Sequence, residues 1–272
     1  MTDKTFRFGV VASPQGGGAS WRTLAQRVEK MGYDTLLMPD NLQLLSPIPS
    51  LAVAASVTKS LRVGTFVLAS PLRPPRSTSW EAHSLSVLTD GRFELGIGTG
   101  LPVMKEPAES LGLKFGSTTE RLAQVAETID HLRVLDGERH TPVMMAAAGP
   151  KARAMAAVKA DIVTLAGGPM VTRDETAANA AELRNAAGAR DLELAMNVFV
   201  VGEEVPPQIQ QFIGVNAATL IEHDSLTMIR GTPRQMADEF ERRREAFGVS
   251  YISVNGAFFA ELAPVVELLA GR

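Results

Sequence analysis

The chain contains no cysteine. That absence excludes disulfides, thiolate-bound metal and a cysteine nucleophile, and it leaves the redox compartment open. Histidine is scarce, with four in the whole chain. His83, His131, His140 and His223 do not pair at metal-ligand spacing, and each reads as a structural residue. Nowhere do roughly 18 apolar residues follow one another, the length a membrane helix needs. The apolar stretch from Phe8 to Ala12 is too short to be the core of a secretion signal. Neither sign of charge dominates: 27 basic against 30 acidic side chains give 27 − 30 = −3. Such a balance offers no attraction for nucleic acid or for an anionic membrane surface. A cytoplasmic protein that binds neither is expected.

What is present reads as one large α/β unit. A hydrophobic fraction of 45% over 272 residues is enough to bury a sizeable core. Short β-rich runs begin near Phe6, Asp34, Leu61, Arg92, Pro142, Asp161, Leu192 and Ser250, and helical spacing fills the intervals. Trp21, Leu24, Ala25 and Val28 follow i, i+3, i+4, i+7, with Ser20 placed as N-cap and Gly32 as the closing glycine. Leu122, Val125, Ile129 and Leu132 mark a longer helix that stops at Gly137. Thr232-Pro233 reads as an N-cap followed by proline at the first helical position, in a helix ending at Gly248. Alternation of this kind requires crossover connections and so a parallel sheet. The runs Thr35 to Met38 and Val143 to Ala148 are continuously apolar, as strands covered on both faces are. Eight βα units over residues 1–272 predict a single-domain (β/α)8 TIM barrel, with a doubly wound sheet as the alternative. The irregular stretch from Glu203 to Gly231 predicts an extra helix and a mobile loop over the barrel mouth.

In such a barrel chemistry belongs at the C-terminal strand ends. Those ends read Ala12-Ser13, Asp40-Asn41, Val67-Leu68, Gly98-Thr99-Gly100, Ala147-Ala148-Gly149, Leu165-Ala166-Gly167 and Asn255-Gly256. They hold no lysine for a Schiff base, no carboxylate cluster for magnesium, and one acid, Asp40. A site this poor in acids and bases suits an organic cofactor that carries the reactivity itself. The sharpest local feature is Gly96-Ile97-Gly98-Thr99-Gly100. Alternate strand residues share a face, so three missing side chains on one side let a flat ring or a backbone approach closely; a strand running into a glycine-rich turn is the plainer alternative. The spacing is not the dinucleotide fingerprint. Gly16-Gly17-Gly18 reads mainly as a flexible loop. Arg73 and Arg76, around Pro74-Pro75, are candidates for an anionic ligand or for a solvated loop. Arg242-Arg243-Arg244, among Glu239, Glu241 and Glu245, reads as a salt-laced outer helix face.

The segments Leu61-Arg62-Val63-Gly64-Thr65-Phe66-Val67-Leu68 and Asp90-Gly91-Arg92-Phe93-Glu94-Leu95-Gly96-Ile97-Gly98-Thr99-Gly100 resemble the bacterial luciferase-like monooxygenase superfamily. Further matching stretches are Gly32-Tyr33-Asp34-Thr35 through Pro39-Asp40, Glu120-Arg121 leading to Glu127, Ala148-Gly149-Pro150, Gly231-Thr232-Pro233 and the closing Gly248 to Val254. The resemblance spans nearly the whole chain and implies a (β/α)8 barrel that binds coenzyme F420 or FMN, with the deazaflavin (F420) branch the better match. By that resemblance, the Gly64-Thr65-Phe66-Val67 segment forms a bulge with a cis Phe66–Val67 bond, and the cofactor ring rests against Thr65, Phe66, Val67 and Leu68. Asp40 lies beside it. Gly98, Thr99, Gly100, Ala147, Ala148, Gly149, Ala166, Gly167 and Gly168 would flank the ribityl and phosphate region, with backbone N–H groups after Gly149 meeting phosphate. Asn41 would orient substrate or cofactor.

The chain departs from the family in three places. Asn41 stands where deazaflavin members carry histidine, Leu101 where some carry a glutamate, and the segment after Asp136 is short. The function that the resemblance implies is an F420-dependent oxidoreductase moving a hydride between the cofactor and a small organic substrate. An FMN-dependent monooxygenase, a non-catalytic flavin-binding barrel and a cofactor-free barrel are the alternatives. Homodimers are common in families of this kind.

Overall fold

The computed structural model of the protein describes residues 4–165 and 167–272. All eight β-rich runs become strands: β1 Arg7–Val11, β2 Thr35–Met38, β3 Arg62–Thr65, β4 Phe93–Gly98, β5 Val143–Ala146, β6 Ile162–Thr164, β7 Glu193–Val198 and β8 Val249–Asn255. A short piece, Leu68–Ala69, continues β3. Every pairing between them is parallel, in the order β3-β2-β1-β8-β7-β6-β5-β4. The pairs Val63 with Phe93 and Gly64 with Glu94 then join β4 back to β3. The sheet is a closed (β/α)8 barrel, and the doubly wound alternative is excluded.

Each strand is followed by a helix: α1 Gly18–Lys30, α2 Pro47–Ser56, α3 Pro75–Leu88, α4 Thr118–Asp136, α5 Pro150–Lys159, α6 Arg173–Ala187, α7 Pro233–Phe247 and α8 Phe259–Leu269. Trp21, Ala25 and Val28 are the buried side of α1, as the spacing predicts. Its start differs from expectation. The helix opens at Gly18 with Gly17 as N-cap, and Ser20 lies inside it, donating back to Gly17 O at 2.9 Å. Glycine at 17 adopts φ +92, which a side chain at that position would resist. The cap of α7 is as predicted: Thr232 and Gln235 exchange hydrogen bonds, and Gly248 closes the helix in the left-handed region.

Alternation along the strands separates two cores. Phe8, Val10, Leu36, Met38, Val63 and Leu95 face the helices. Leu37, Met144, Ile162, Ala195 and Tyr251 meet inside the barrel, with Val11, Phe66 and Val67 packed on them. Below them, at the N-terminal strand ends, charge replaces hydrocarbon. Arg7 pairs with Glu94 and Glu193 at 2.8 Å each, and Arg62 meets Glu94 at 2.6 Å. Arg7 also lies 4.1 Å above the Tyr251 ring. Burial alone would push the Glu94 carboxyl up, but Arg7 and Arg62 outweigh it and hold the group below its ordinary value.

The long connection from β7 to α7 carries more order than predicted. It contains two short helices, Pro207–Ile213 and Ala217–Glu222. Met228–Ile229 pairs in parallel with Val200–Val201. The reading of Arg242 to Arg244 as a solvated face is corrected at its centre. Arg243 is buried and donates to Leu226 O at 2.8 Å, Met228 O at 3.2 Å and Glu239 at 2.9 Å. A helix face turned toward this connection needs a donor for its carbonyls, and arginine supplies several.

Candidate active site

The most unusual backbone in the barrel is the end of β3. Gly64 pairs with Glu94 and Leu68 with Ile97, so four steps on one strand oppose three on the other. One residue is extra, which defines a bulge. The Phe66–Val67 peptide within it is cis, as the family resemblance implies. Phe66 and Val67 are half-buried, facing the C-terminal mouth of the barrel above the inner core.

The glycine run explains how the bulge fits. A Cβ on Gly96 would lie 1.8 Å from the carbonyl oxygen of Thr65, and one on Gly98 would lie 3.1 Å from Val67 Cγ2. The Thr65 hydroxyl seals the contact, donating to Gly96 O at 2.7 Å and accepting from Gly96 N at 2.8 Å. Of the two approaches that the glycines allow, a ring or a backbone, the backbone of β3 takes the space at Gly96. Gly100, beyond the strand, adopts φ +71 against Pro71.

At the end of β2, Asp40 is buried and fully committed. It forms a bidentate pair with Arg73, Nη2 to Oδ1 at 3.0 Å, and accepts from Ala69 N at 2.9 Å. Asp40 therefore clamps the end of β2 to the chain just after the bulge, and Arg73 is matched rather than available to an anion. Arg76 is exposed, 3.6 Å from Glu127. Asn41 accepts from Gln43 N at 2.9 Å through Oδ1, a local turn; among the described residues its amide N–H groups meet no acceptor. Leu101 is 67% exposed, so its side chain makes no wall.

The remaining candidates line the rim after β4, β5 and β6. Gly149 caps α5 without a side-chain acceptor, and Pro150 occupies the first helical position. A Cβ on Gly149 or on Gly168 would meet nothing within 4 Å, so both backbones border open space. Ala147 is buried and Ala148 exposed, with its carbonyl taken by Arg153. Gly167 N donates to Leu165 O at 2.8 Å. Ala166 lies outside the described residues. Thr99 O accepts from Arg121 Nε at 2.8 Å, which fixes the loop after β4.

Three inward polar residues escaped the sequence reading. Thr164, Asn197 and Ser253 each follow by two positions a residue of the inner core, namely Ile162, Ala195 and Tyr251. Period-2 alternation therefore points them into the mouth. The signal in the sequence was a polar residue interrupting an apolar strand, as in Leu194-Ala195-Met196-Asn197-Val198. A separate cavity of about 410 Å³ lies under the β7–α7 connection, between Arg173, Asp224, Arg230, Glu239 and Arg242. No inward strand residue lines it, and Arg173 there is paired with Asp224 at 2.6 Å and Glu239 at 2.8 Å.

Residues 5–211 match the luciferase-like monooxygenase family. Among curated proteins, the 4-hydroxyprotoasukamycin monooxygenase of Streptomyces nodosus subsp. asukaensis is 30% identical over 138 residues, covering 46% of this chain and 37% of the relative. The match thus spans less than half of that relative's length. Among solved structures, an F420-dependent secondary alcohol dehydrogenase in complex with an F420–acetone adduct superposes with a TM-score of 0.76 at 17% identity, covering 97% of this chain and 98% of that one. The oxygenating constituent of 3,6-diketocamphane monooxygenase from Pseudomonas putida, in complex with FMN, gives 0.70 at 13% identity over 97% and 95%. Likenesses at such identities concern the fold.

Proposed function

The chain belongs to the luciferase-like monooxygenase family, and we propose that it is an F420-dependent oxidoreductase that moves a hydride between the deazaflavin and a small organic substrate. The observation that carries the reading is the β3 bulge. It presents Phe66 and Val67, half-buried and uncharged, at a mouth whose one strand-end acid is already paired. An aromatic ring rests on such a surface without desolvating an unpaired charge.

The residues present fit the cofactor. Thr65, Phe66, Val67 and Leu68 would support the ring, and Asp40 would hold that platform in place through Ala69 and Arg73. Gly98, Thr99 and Gly100 would flank the ribityl chain. Across the mouth, Ala147, Ala148, Gly149, Gly167 and Gly168 would receive the phosphate, and the open backbone beside Gly149 and Gly168 supports that assignment. When bound, the cofactor would supply the redox chemistry at its ring. Asn41 would donate its free amide N–H to orient the ligand, and the mouth would exclude water around it.

FMN is the second reading, with dioxygen chemistry in place of hydride exchange. The 30% identity to a monooxygenase favours it. Titrating the purified protein with oxidised F420 and, separately, with FMN by fluorescence quenching decides between them. Saturation by F420 alone supports the proposal, and saturation by FMN alone transfers the protein to the second reading. Saturation by neither overturns both.

A further inference from the structure

Asn197 and Ser253 are partners in register on β7 and β8. Ser253 Oγ donates to Asn197 Oδ1 at 3.1 Å, and it lies 3.4 Å from Met196 O. Holding Oδ1 in this way fixes which end of the carboxamide faces the mouth. The two N–H donors of Asn197 Nδ2 then point away from Ser253, and among the described residues they reach no protein acceptor. Asn197 is half-buried while its flanks, Met196 and Val198, are buried. Among the described residues, an amide donor placed in this way is oriented by Ser253 and is left to pair with an acceptor that enters the mouth.

The place of this donor is set by the topology. Counting round the barrel in the order β3-β2-β1-β8-β7 or β3-β4-β5-β6-β7 gives four steps either way, so β7 stands diametrically opposite β3. Asn197 therefore faces the bulge across the mouth. The inward residues on this level are Val11, Val67, Ala146, Thr164, Asn197 and Ser253, none of which carries a charge. The ionic groups of the interior lie below, where Arg7, Arg62, Glu94 and Glu193 pair with one another.

We propose that Asn197, oriented by Ser253, is the specificity-determining hydrogen-bond donor of the site, and that it selects an uncharged substrate whose apolar body carries a carbonyl or hydroxyl oxygen. A carboxylate or phosphate substrate would enter a level that offers no cation, and would lose more hydration than one amide returns. A hydrocarbon without oxygen would leave the half-buried amide, cut off from water by the ligand, unpaired. This inference rests on the proposed oxidoreductase reading for its biological meaning, but its test does not depend on cofactor.

The test uses three probes of one shape on the full chain: acetophenone, ethylbenzene and benzoate, followed by ligand-observed NMR. Wild type is expected to bind acetophenone, and benzoate weakly or not at all. Asn197→Leu and the near-isosteric Asn197→Asp both remove the N–H donors. Each should weaken acetophenone about fivefold to tenfold, as loss of one neutral hydrogen bond does, and Leu should leave ethylbenzene unchanged or tighter. Ser253→Ala should weaken acetophenone less, through loss of orientation. Equal loss of acetophenone and ethylbenzene in Asn197→Leu would make the residue merely structural and overturn the proposal. So would absence of acetophenone binding to wild type, or binding of benzoate as tightly as acetophenone. F420 and FMN titrations of the same variants are read separately. If neither cofactor binds wild type, the oxidoreductase reading fails while the acetophenone comparison still judges Asn197.

Discussion

Gly96→Ala and Gly98→Ala look alike in the sequence and should differ widely in cost. At Gly96 the added Cβ would lie 1.8 Å from Thr65 O and 2.8 Å from Thr65 C, both backbone atoms of the neighbouring strand. Relief requires β3 to move. Overpacking of this kind costs about 1–3 kcal/mol. Moving β3 also breaks the two Thr65–Gly96 hydrogen bonds of 2.7 and 2.8 Å, adding about 1–3 kcal/mol. After the about 0.4–1 kcal/mol that the lower backbone entropy of unfolded alanine returns, the expected loss is about 1–5.6 kcal/mol. At Gly98 the nearest atom is a methyl of Val67 at 3.1 Å, which a small rotation clears for about 1 kcal/mol. The lower backbone entropy of unfolded alanine returns about 0.4–1 kcal/mol of that. Urea unfolding of both variants against wild type measures the difference directly. If Gly96→Ala unfolds within about 1 kcal/mol of wild type, or the two variants are equally stable, the account of the glycines as clearance for the bulge is wrong.

Three further outcomes follow from the buried charges. Glu94 is held below its ordinary 4.5 by Arg7 and Arg62; its contribution is complete above the unfolded value and is lost as pH falls below it. Glu94→Gln should cost about 3 kcal/mol near neutrality, and urea midpoints of variant and wild type should converge as pH falls below about 4.5. Arg243→Met should destabilise by about 2–4 kcal/mol and speed proteolysis within residues 203–231, whereas Arg242→Met, on an exposed neighbour, should cost under about 0.5 kcal/mol. Equal effects would contradict the buried placement of Arg243. Asp40→Ala and Arg73→Ala should each destabilise, and their double mutant should show about 2 kcal/mol of coupling; additive losses in thermal or urea unfolding would deny the clamp.

The barrel was legible because its signals are local and repeated. Eight apolar runs separated by helical spacing admit few topologies, and the parallel closure follows from the crossover lengths. Thr232, Gly137 and Gly248 marked helix ends by capping chemistry that any sequence displays. The site was less legible because its residues act through partners far along the chain. Asp40 reads as a lone strand-end acid until Arg73, 33 residues on, is seen to occupy it. Arg243 sits in a run of charges that looks solvated, and only the fold reveals the carbonyls of Leu226 and Met228 beside it. Ser20 shows the same limit at short range. A serine three residues into α1 looks like a cap, yet its hydroxyl returns to Gly17 O while the glycine takes the cap position.

The interior of the barrel divides its work by depth. At the N-terminal ends, the half-buried Arg7 and Arg62 and the buried Glu94 and Glu193 form a network in which each of the two cations touches an acid, so charge there serves to hold strands β1, β3, β4 and β7 in one register. At the C-terminal ends the inward residues are small, apolar or neutral and polar, and the single acid is withdrawn into the Asp40–Arg73 clamp. Under the proposed reading, a cofactor at that level would meet no fixed charge that competes with its own electronics. Its position would instead be set by shape, through the β3 bulge and the glycines that admit it. The two levels can therefore be perturbed apart: a substitution in the lower network should change stability and its pH dependence while leaving ligand selectivity intact. A substitution at Asn197 should change selectivity with little effect on stability.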